Sequence, residues 1–311
     1  MLTDYHLHLR PDELDATSAE YFTQANVERY RDAAGERHIS ELGVSEHIYR
    51  FEQSLDVWQH PLWREFAHDD LDEYCRFVRE ETDLRLGIEA DFIPGAEDRI
   101  ANLLEARDFD YVVGSVHFLA DHALDMDDYS VWGSGRSAEE IWRAYFLALG
   151  EAARSGLFDI LAHPDLVKIW GPARRDRPLP EGDPRRYYEL AMDGIAESDI
   201  AIEVSTAGLR KRAQEIYPAP ALLQMCVEAG APVALSSDAH LPEDVGADYD
   251  RALELLREAG VGELCVFERR ERRLEPIGAG NAPSGRGQAG GGQASDDDDD
   301  DGGRARGAGV A

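Results

Sequence analysis

The chain has 311 residues and a formal net charge of −31, with 63 acidic side chains against 32 lysines and arginines. Such a charge disfavours binding to nucleic acid or to an anionic membrane, because both partners are themselves negatively charged. No apolar run approaches the roughly 18 residues that a membrane-spanning helix needs, and the first residues lack the basic start and apolar stretch of a secretory signal.

Short apolar runs alternate with amphipathic stretches through most of the chain. Runs rich in Ile, Val and Leu predict buried strands at residues 2–8, 41–46, 84–90, 111–118, 158–162, 199–204 and 232–236. Between them, Pro in the first turn and Gly after the last turn help to predict helices at residues 18–35, 61–82, 96–107, 137–156, 184–197, 220–230 and 242–260. Seven strand–helix units predict an α/β fold, either a parallel barrel or a wound sheet.

Two predicted connections, residues 120–136 and 167–183, are longer than usual, and long loops at strand ends are where a barrel meets its substrate. A last strand-like piece covers residues 264–277. We therefore predict one domain over residues 1–278, followed by a disordered Gly/Ala/Asp-rich tail over residues 279–311. The three cysteines lie far apart, which is typical of core thiols in a cytoplasmic protein.

A histidine or an acidic residue stands at or near the end of every predicted strand. In chain order these residues are His6 with His8, His47, Glu89, His117, His163, Glu203, and Asp238 with His240. Because the strands of a parallel barrel end on one shared face, these side chains are expected to converge. Mixed nitrogen and oxygen donors suit zinc, manganese or iron better than calcium or magnesium. The number of donors predicts two or three divalent metals, with at least one bridging carboxylate.

Several of these motifs, taken together and in order, resemble the ligand motifs of a known enzyme superfamily. They are His6-Leu7-His8, His47, Glu89, His117, His163-Pro164 and Asp238-Ala239-His240, and the superfamily is PHP, named for polymerase and histidinol phosphatase. The resemblance implies a distorted (β/α)7 barrel with a multinuclear metal site at the carboxyl-terminal face of the strands.

Three further segments are similar to segments of the monofunctional histidinol-phosphatases within that superfamily. They cover residues 163–168, 203–211 and 217–218. This similarity implies a phosphoric monoester hydrolase of histidine biosynthesis that converts L-histidinol phosphate and water to L-histidinol and phosphate.

The resemblance also implies how the ligands divide among three metals. The first metal would take ligands from the first, third and seventh strands, namely His6, His8, Glu89 and Asp238. The second would take Glu89, His117 and His163. The third would take His47, His240 and a residue soon after the first motif, for which Asp15 is the expected ligand and Asp12 the alternative. Of all these residues, Glu89, Asp238 and His240 are the expected catalytic centre.

A metal-bridged hydroxide is the expected nucleophile, so no side chain needs to attack phosphorus. Arg210 and Lys168 are expected to bind the phosphate, Arg through its planar fork and Lys as a point charge. Glu203 would either orient a ligand imidazole or bind the amine of the substrate. The expected partner is therefore a small phosphorylated substrate, with no nucleic acid and no membrane, and the oligomeric state stays open.

Other functions are compatible with the same ligand set. A PHP phosphoesterase could act on a nucleotide, another small phosphate ester or phosphotyrosine, and a PHP domain could bind metal without catalysis. An amidohydrolase-type barrel also begins with His-x-His, but it usually relies on a carbamylated lysine at a strand end. Neither Lys168 nor Lys211 lies at a matching strand end.

Overall fold

The computed structural model describes residues 1–278, and within them seven parallel strands form one sheet. In their order across the sheet, the strands are β1 Thr3–Asp4, β2 Glu41–Val44, β3 Arg85–Asp91, β4 Tyr111–Ser115, β7 Ile160–Leu161, β8 Ala201–Ser205 and β9 Val233–Ser236. Beyond β1 and β9, Leu7 pairs with Ala239, and the backbone N–H of His8 donates to Ala239 O at 2.8 Å. This pairing nearly closes the sheet, so the predicted (β/α)7 barrel is confirmed.

The helices cover the outside of the sheet between successive strands. Their bounds are α1 Ser18–Tyr21, α2 Gln24–Glu36, α3 Pro61–Phe66, α4 Leu71–Glu81, α5 Glu97–Glu105, α6 Ala138–Arg154, α7 Arg185–Ala196, α8 Ala207–Arg210, α9 Pro220–Glu228 and α10 Tyr249–Glu258. Five short 3-10 turns also occur within the described part, at Ile48–Arg50, Glu52–Asp56, Val131–Gly133, Leu166–Lys168 and Pro242–Asp244.

Two predicted helices are each split in two by a capping side chain. The helix predicted over residues 18–35 breaks at Thr23, whose side chain accepts a hydrogen bond from the Asn26 backbone N–H. The helix predicted over residues 61–82 breaks before Asp70, whose carboxylate accepts from the N–H groups of Asp72 and Glu73. Each cap satisfies donors that only the start of a helix leaves unpaired, so each marks a new helix.

An antiparallel hairpin, β10 Glu263–Glu268 and β11 Glu271–Pro276, forms from the last strand-like piece. Its turn residues Arg269 and Arg270 have φ of 52° and 64°, as a tight hairpin turn requires. The N–H groups of both bind Asp110, which directly precedes β4. The hairpin therefore packs at the amino-terminal ends of the strands, opposite the face where the predicted ligands lie.

The barrel interior at that lower end is filled by Tyr111, which packs with Tyr5 and Phe267. A Cβ added to Gly43 or Gly87 would lie 2.4 Å or 2.3 Å from the Tyr111 side chain, so both positions need glycine. The core is thus closed below, and the polar site is confined to the upper, carboxyl-terminal mouth.

A second small hairpin, β5 Phe118–Leu119 with β6 His122–Ala123, was not predicted and begins the first long loop. Within residues 1–278 there is no helix long and apolar enough to cross a membrane. The predicted tail over residues 279–311 lies outside the described residues.

Candidate metal centre

Glu89, near the end of β3, lies at the centre of a buried histidine cluster in the barrel mouth and is only 1% exposed. Five histidines surround its carboxylate, at 3.4 Å for His6, 3.7 Å for His8, 3.5 Å for His117 and 3.2 Å for His163, with His47 in direct contact. A single carboxylate shared by so many nitrogen donors is suited to bridge metal ions.

The alternation of residues after β1 explains how two of these histidines face the same point. Leu7 is fully buried and pairs with Ala239. Since side chains on an extended strand alternate between its two faces, His6 and His8 both point into the mouth. Their ring centres lie 5.2 Å apart.

Three overlapping groups of side chains bring their potential donor atoms within 4.8 Å of one another. They are His6, His8 and Asp238; His6, Glu89 and His163; and His8, His47 and His240. The first group lies within the first implied ligand set, whereas the second and third groups each join two members of another implied set to a histidine of the first set. The structure thus brings together the histidines and acids that the sequence singled out at the seven strand ends, whereas the acid predicted from the loop after the first strand, Asp15, is not among them.

Two buried carboxylates behind the cluster fix the orientation of its rings. Glu203 lies 2.8 Å from Nδ1 of His6, and Asp91 lies 2.9 Å from Nδ1 of His117. Because an ionised carboxylate only accepts, each Nδ1 carries a proton, and in the neutral ring that binds a metal each Nε2 presents its lone pair to the mouth. Asp91 was not singled out from the sequence, although its position two residues after Glu89 on β3 places it on the same face.

The charges of the cluster perturb one another strongly. Burial disfavours the charged form of His117, but Glu89 and Asp91 raise its pKa to about 10. Burial likewise opposes ionisation of Glu89, yet the neighbouring His47, His6 and His117 hold its pKa well below the usual value. Without metal, His117 is therefore protonated beside an ionised Glu89, and a divalent cation bound there would displace that proton.

The donor set fits divalent metal ions. Nε2 of His6 and both ring nitrogens of His8 are buried, and residues 1–278 offer them no hydrogen-bond partner. Buried polar atoms are nearly always satisfied, so the unpaired Nε2 atoms of His6 and His8, which lie 3.4 Å and 3.7 Å from the same Glu89 oxygen, indicate that a ligand satisfies them. His163 and Asp238 also hold left-handed backbone conformations, with φ of 25° and 50°, a kind of strain that collects at functional sites.

The third predicted ligand set needs a correction. Asp15 is exposed and makes no ion pair with His47 or His240 among the described residues, whereas Asp12 places its carboxylate 3.0 Å from His240 Nε2 and 3.7 Å from His47 Nε2. Asp12 is held there by the buried guanidinium of Arg50, which turns the loop inward at residue 12 and leaves Asp15 on the outside. Asp12 therefore occupies the position expected for Asp15.

The two cations predicted to bind phosphate, Lys168 and Arg210, contact other groups of the protein. Lys168 is buried, with Nζ 2.7 Å from Asp165 and 2.8 Å from Glu215. Arg210 donates to the backbone carbonyls of Ser237 at 2.5 Å and Asp238 at 3.3 Å, and it lies 3.5 Å from Asp244. Lys168 thus pairs with the buried Asp165 and the exposed Glu215, and Arg210 supports the loop that presents Asp238.

Glu203 was predicted either to orient an imidazole or to bind the amine of the substrate, and the structure places it behind His6. Besides His6, it accepts from the backbone N–H of His163 and from Ser236 Oγ, both at 2.6 Å. With its oxygens used in this way and 1% exposure, Glu203 is placed to orient the ligands rather than to meet a substrate.

A cavity opens directly above the cluster. Its lining includes all the ligand side chains except His6 and His8, together with Phe118, Asp125, Met126, Lys211 and Tyr217. None of these five was singled out as a site residue from the sequence. The neighbouring long loops were expected to meet substrate, but no pattern within them indicated which side chain turns inward.

The comparisons with known proteins confirm the resemblance. The family model for the PHP domain matches residues 16–207, which is more than half of the chain. The chain is 35% identical over 255 residues to a protein of Deinococcus radiodurans named "Probable histidinol-phosphatase", covering 79% of this chain and 91% of that protein. A protein of the same name from Clostridium acetobutylicum is 24% identical, with 87% of this chain and 98% of the relative covered.

Among solved structures, the fold is similar to a histidinol phosphate phosphatase from Lactococcus lactis, crystallised with zinc, L-histidinol and phosphate. The TM-score is 0.63 at 18% identity, and the match covers 88% of this chain and 98% of that one. On the family match and the 35% identical relative, this chain belongs to the PHP domain family.

Proposed function

We propose that the chain hydrolyses L-histidinol phosphate to L-histidinol and phosphate, with two or three divalent transition metals held around Glu89. The observation that carries the proposal is the convergence of five histidines on that one carboxylate, at distances from contact to 3.7 Å. The names of the relatives and the near-complete coverage of their length support this substrate over others.

His6, His8, Glu89 and Asp238 would hold one metal, with His117 and His163 joining Glu89 at a second. His47, His240 and Asp12 would complete a third site. Divalent ions bound there would supply positive charge for the phosphoryl oxygens and would lower the pKa of a water molecule. Zinc, manganese and iron all suit this donor set.

Lys211 is the cation that we assign to the phosphate group. It lines the cavity above the cluster, and neither Lys168 nor Arg210 lines that cavity in the described part of the chain. A lysine ammonium binds phosphate as a point charge and needs no fixed fork geometry. With a net charge of −31 on the chain, a local cation is needed to attract an anionic substrate.

We also propose that the enzyme works in the cytoplasm on a small phosphorylated substrate, without a nucleic-acid or membrane partner. The cysteines support the first point, since all three are free thiols within the described residues. The strongly negative charge supports the second.

The proposal is tested by measuring phosphate release from L-histidinol phosphate, a nucleotide, phosphotyrosine and an aryl phosphate, with metal analysis of the same sample. We expect kcat/KM to be highest for L-histidinol phosphate. A higher value for a nucleotide or for phosphotyrosine would assign the enzyme to another substrate. If the metal-loaded protein released no phosphate from any of these substrates, it would be a metal-binding domain without catalytic activity.

A further inference from the structure

One wall of the cavity above the cluster carries an acidic side chain that the metal ligand sets do not use. Asp125 lines the cavity beside Phe118, Met126 and Tyr217. Its Oδ1 is sealed from solvent and finds no hydrogen-bond partner in the described part of the chain. A carboxylate oxygen in such a position is costly to leave unpaired, so it points to a ligand that donates to it.

The two long loops hold Asp125 in place by contacts on both sides of it. Before it, the Leu124 N–H donates to His117 O at 2.9 Å, and Leu124 O accepts from the indole of Trp170 at 2.7 Å. After it, Asp127 pairs with Arg177, whose guanidinium stacks 3.5 Å from the centre of the Trp170 ring. The carboxylate is thus positioned in advance of binding, as a group that selects substrate needs to be.

We propose that Asp125 binds the ammonium group of the substrate and makes the site selective for 2-amino-alcohol phosphates. This inference rests on the proposed function, because L-histidinol phosphate carries an ammonium on the carbon next to the one that bears the phosphate ester. That short separation brings the ammonium within the same cavity once the phosphate lies on the cluster. The apolar walls of Phe118 and Met126 weaken competition from water, which strengthens a charged hydrogen bond.

The test compares L-histidinol phosphate with its deamino analogue, 3-(imidazol-4-yl)propyl phosphate, which keeps an alkyl leaving group and lacks the ammonium. Wild-type enzyme should prefer the amine-bearing ester by about 10- to 100-fold in kcat/KM. Asp125→Asn should lose most of that preference and hydrolyse the deamino ester as wild type does. Asp128→Asn, an equal change of charge at an exposed position in the same loop, should keep the preference.

Calorimetric titration with L-histidinol gives a second readout that does not depend on turnover. Asp125→Asn in its metal-loaded form should bind L-histidinol about 10- to 100-fold more weakly, with unchanged metal content. An equal loss of kcat/KM on both esters in Asp125→Asn would overturn the assignment, because it would make Asp125 a catalytic group. A loss of bound metal in that variant would also overturn it, because it would make Asp125 a metal ligand.

Failure of the underlying function has a different signature. Wild-type enzyme that hydrolyses neither ester but cleaves an aryl phosphate or a nucleotide would contradict the proposed substrate, and the role of Asp125 would fall with it. Active wild-type enzyme whose preference survives in Asp125→Asn would contradict the role of Asp125 alone.

Discussion

Glu203 binds Nδ1 of His6 at 2.8 Å and thereby turns the opposite nitrogen, Nε2, toward Glu89 at 3.4 Å and Asp238 at 3.7 Å. The carboxylate thus acts on the metal site through the imidazole that it orients. Glu203 lies on β8 and His6 lies just after β1, and the two meet because the strands converge at one end of the barrel.

Replacing Glu203 should therefore weaken metal binding before it affects substrate binding. We expect Glu203→Gln to lower metal affinity by about 10-fold and Glu203→Ala by up to about 100-fold, since the amide still accepts a hydrogen bond. Competition with a chromogenic chelator measures this affinity. Unchanged metal affinity with a raised KM would instead indicate that Glu203 contacts substrate.

Alanine variants of Asp12 and Asp15 provide a matched test of the third metal site. Asp12→Ala should reduce the bound metal by one equivalent, because the carboxylate beside His47 and His240 is lost. Asp15→Ala, which removes an exposed carboxylate, should leave the metal content unchanged. Elemental analysis of both purified variants measures the difference. Loss of one metal equivalent in Asp15→Ala, with unchanged metal content in Asp12→Ala, would identify Asp15 as the ligand.

Lys211 and Arg210 should differ in their kinetic effects although they are neighbours. Lys211→Met removes a charge that lines the cavity and should raise KM for the phosphate ester by about 10- to 100-fold. Arg210→Ala removes support from the Asp238 loop and should lower kcat and metal occupancy more than it raises KM. Steady-state kinetics with metal analysis separates the two roles. If Arg210→Ala raised KM without changing kcat or metal occupancy, Arg210 would be the residue that binds the phosphate.

Asp70 links stability to pH through the start of α4. The N–H groups of Glu73 and Asp72 hold the pKa of its carboxyl below the usual value. A carboxyl whose pKa falls on folding stabilises the protein above its unfolded value, about 3.9, and this contribution disappears as the pH drops through the folded value.

Asp70→Ala should destabilise the protein by about 1 kcal/mol at pH 7 and lower Tm by about 2–4 °C. Asp70→Asn keeps a capping oxygen, so it should restore most of the Tm and lose only the pH-dependent part. Thermal unfolding between pH 7 and pH 3 measures both effects. A Tm for Asp70→Ala equal to that of wild type would show that the cap does not contribute.

The barrel and most of the cluster could be predicted because these ligands lie at or near the end of an apolar strand. A short run such as residues 158–162 defines the strand, and the parallel topology then carries His163 to the shared face. The break before Asp70 in the helix predicted over residues 61–82 is also predictable in principle, since Asp70-x-x-Glu73 is a helix-start pattern.

The remaining site residues lie in loops, where no periodicity determines which side chain turns inward. Asp12 rather than Asp15 faces the cluster because Arg50, from another connection, pairs with it. Lys211 rather than Arg210 lines the cavity because residues 207–210 form a short helix that directs Arg210 toward the Asp238 loop. Both choices depend on contacts between distant segments, which one sequence does not reveal.

The dependence of phosphate release on metal held by the histidine cluster is tested most directly with His8→Ala, measured beside His68→Ala as an exposed-histidine control. We predict that His8→Ala loses bound metal and hydrolysis of L-histidinol phosphate while its circular dichroism stays that of wild type, and that His68→Ala keeps both. Full activity in His8→Ala, or in wild-type protein freed of metal by a chelator, would contradict the metal-centred mechanism.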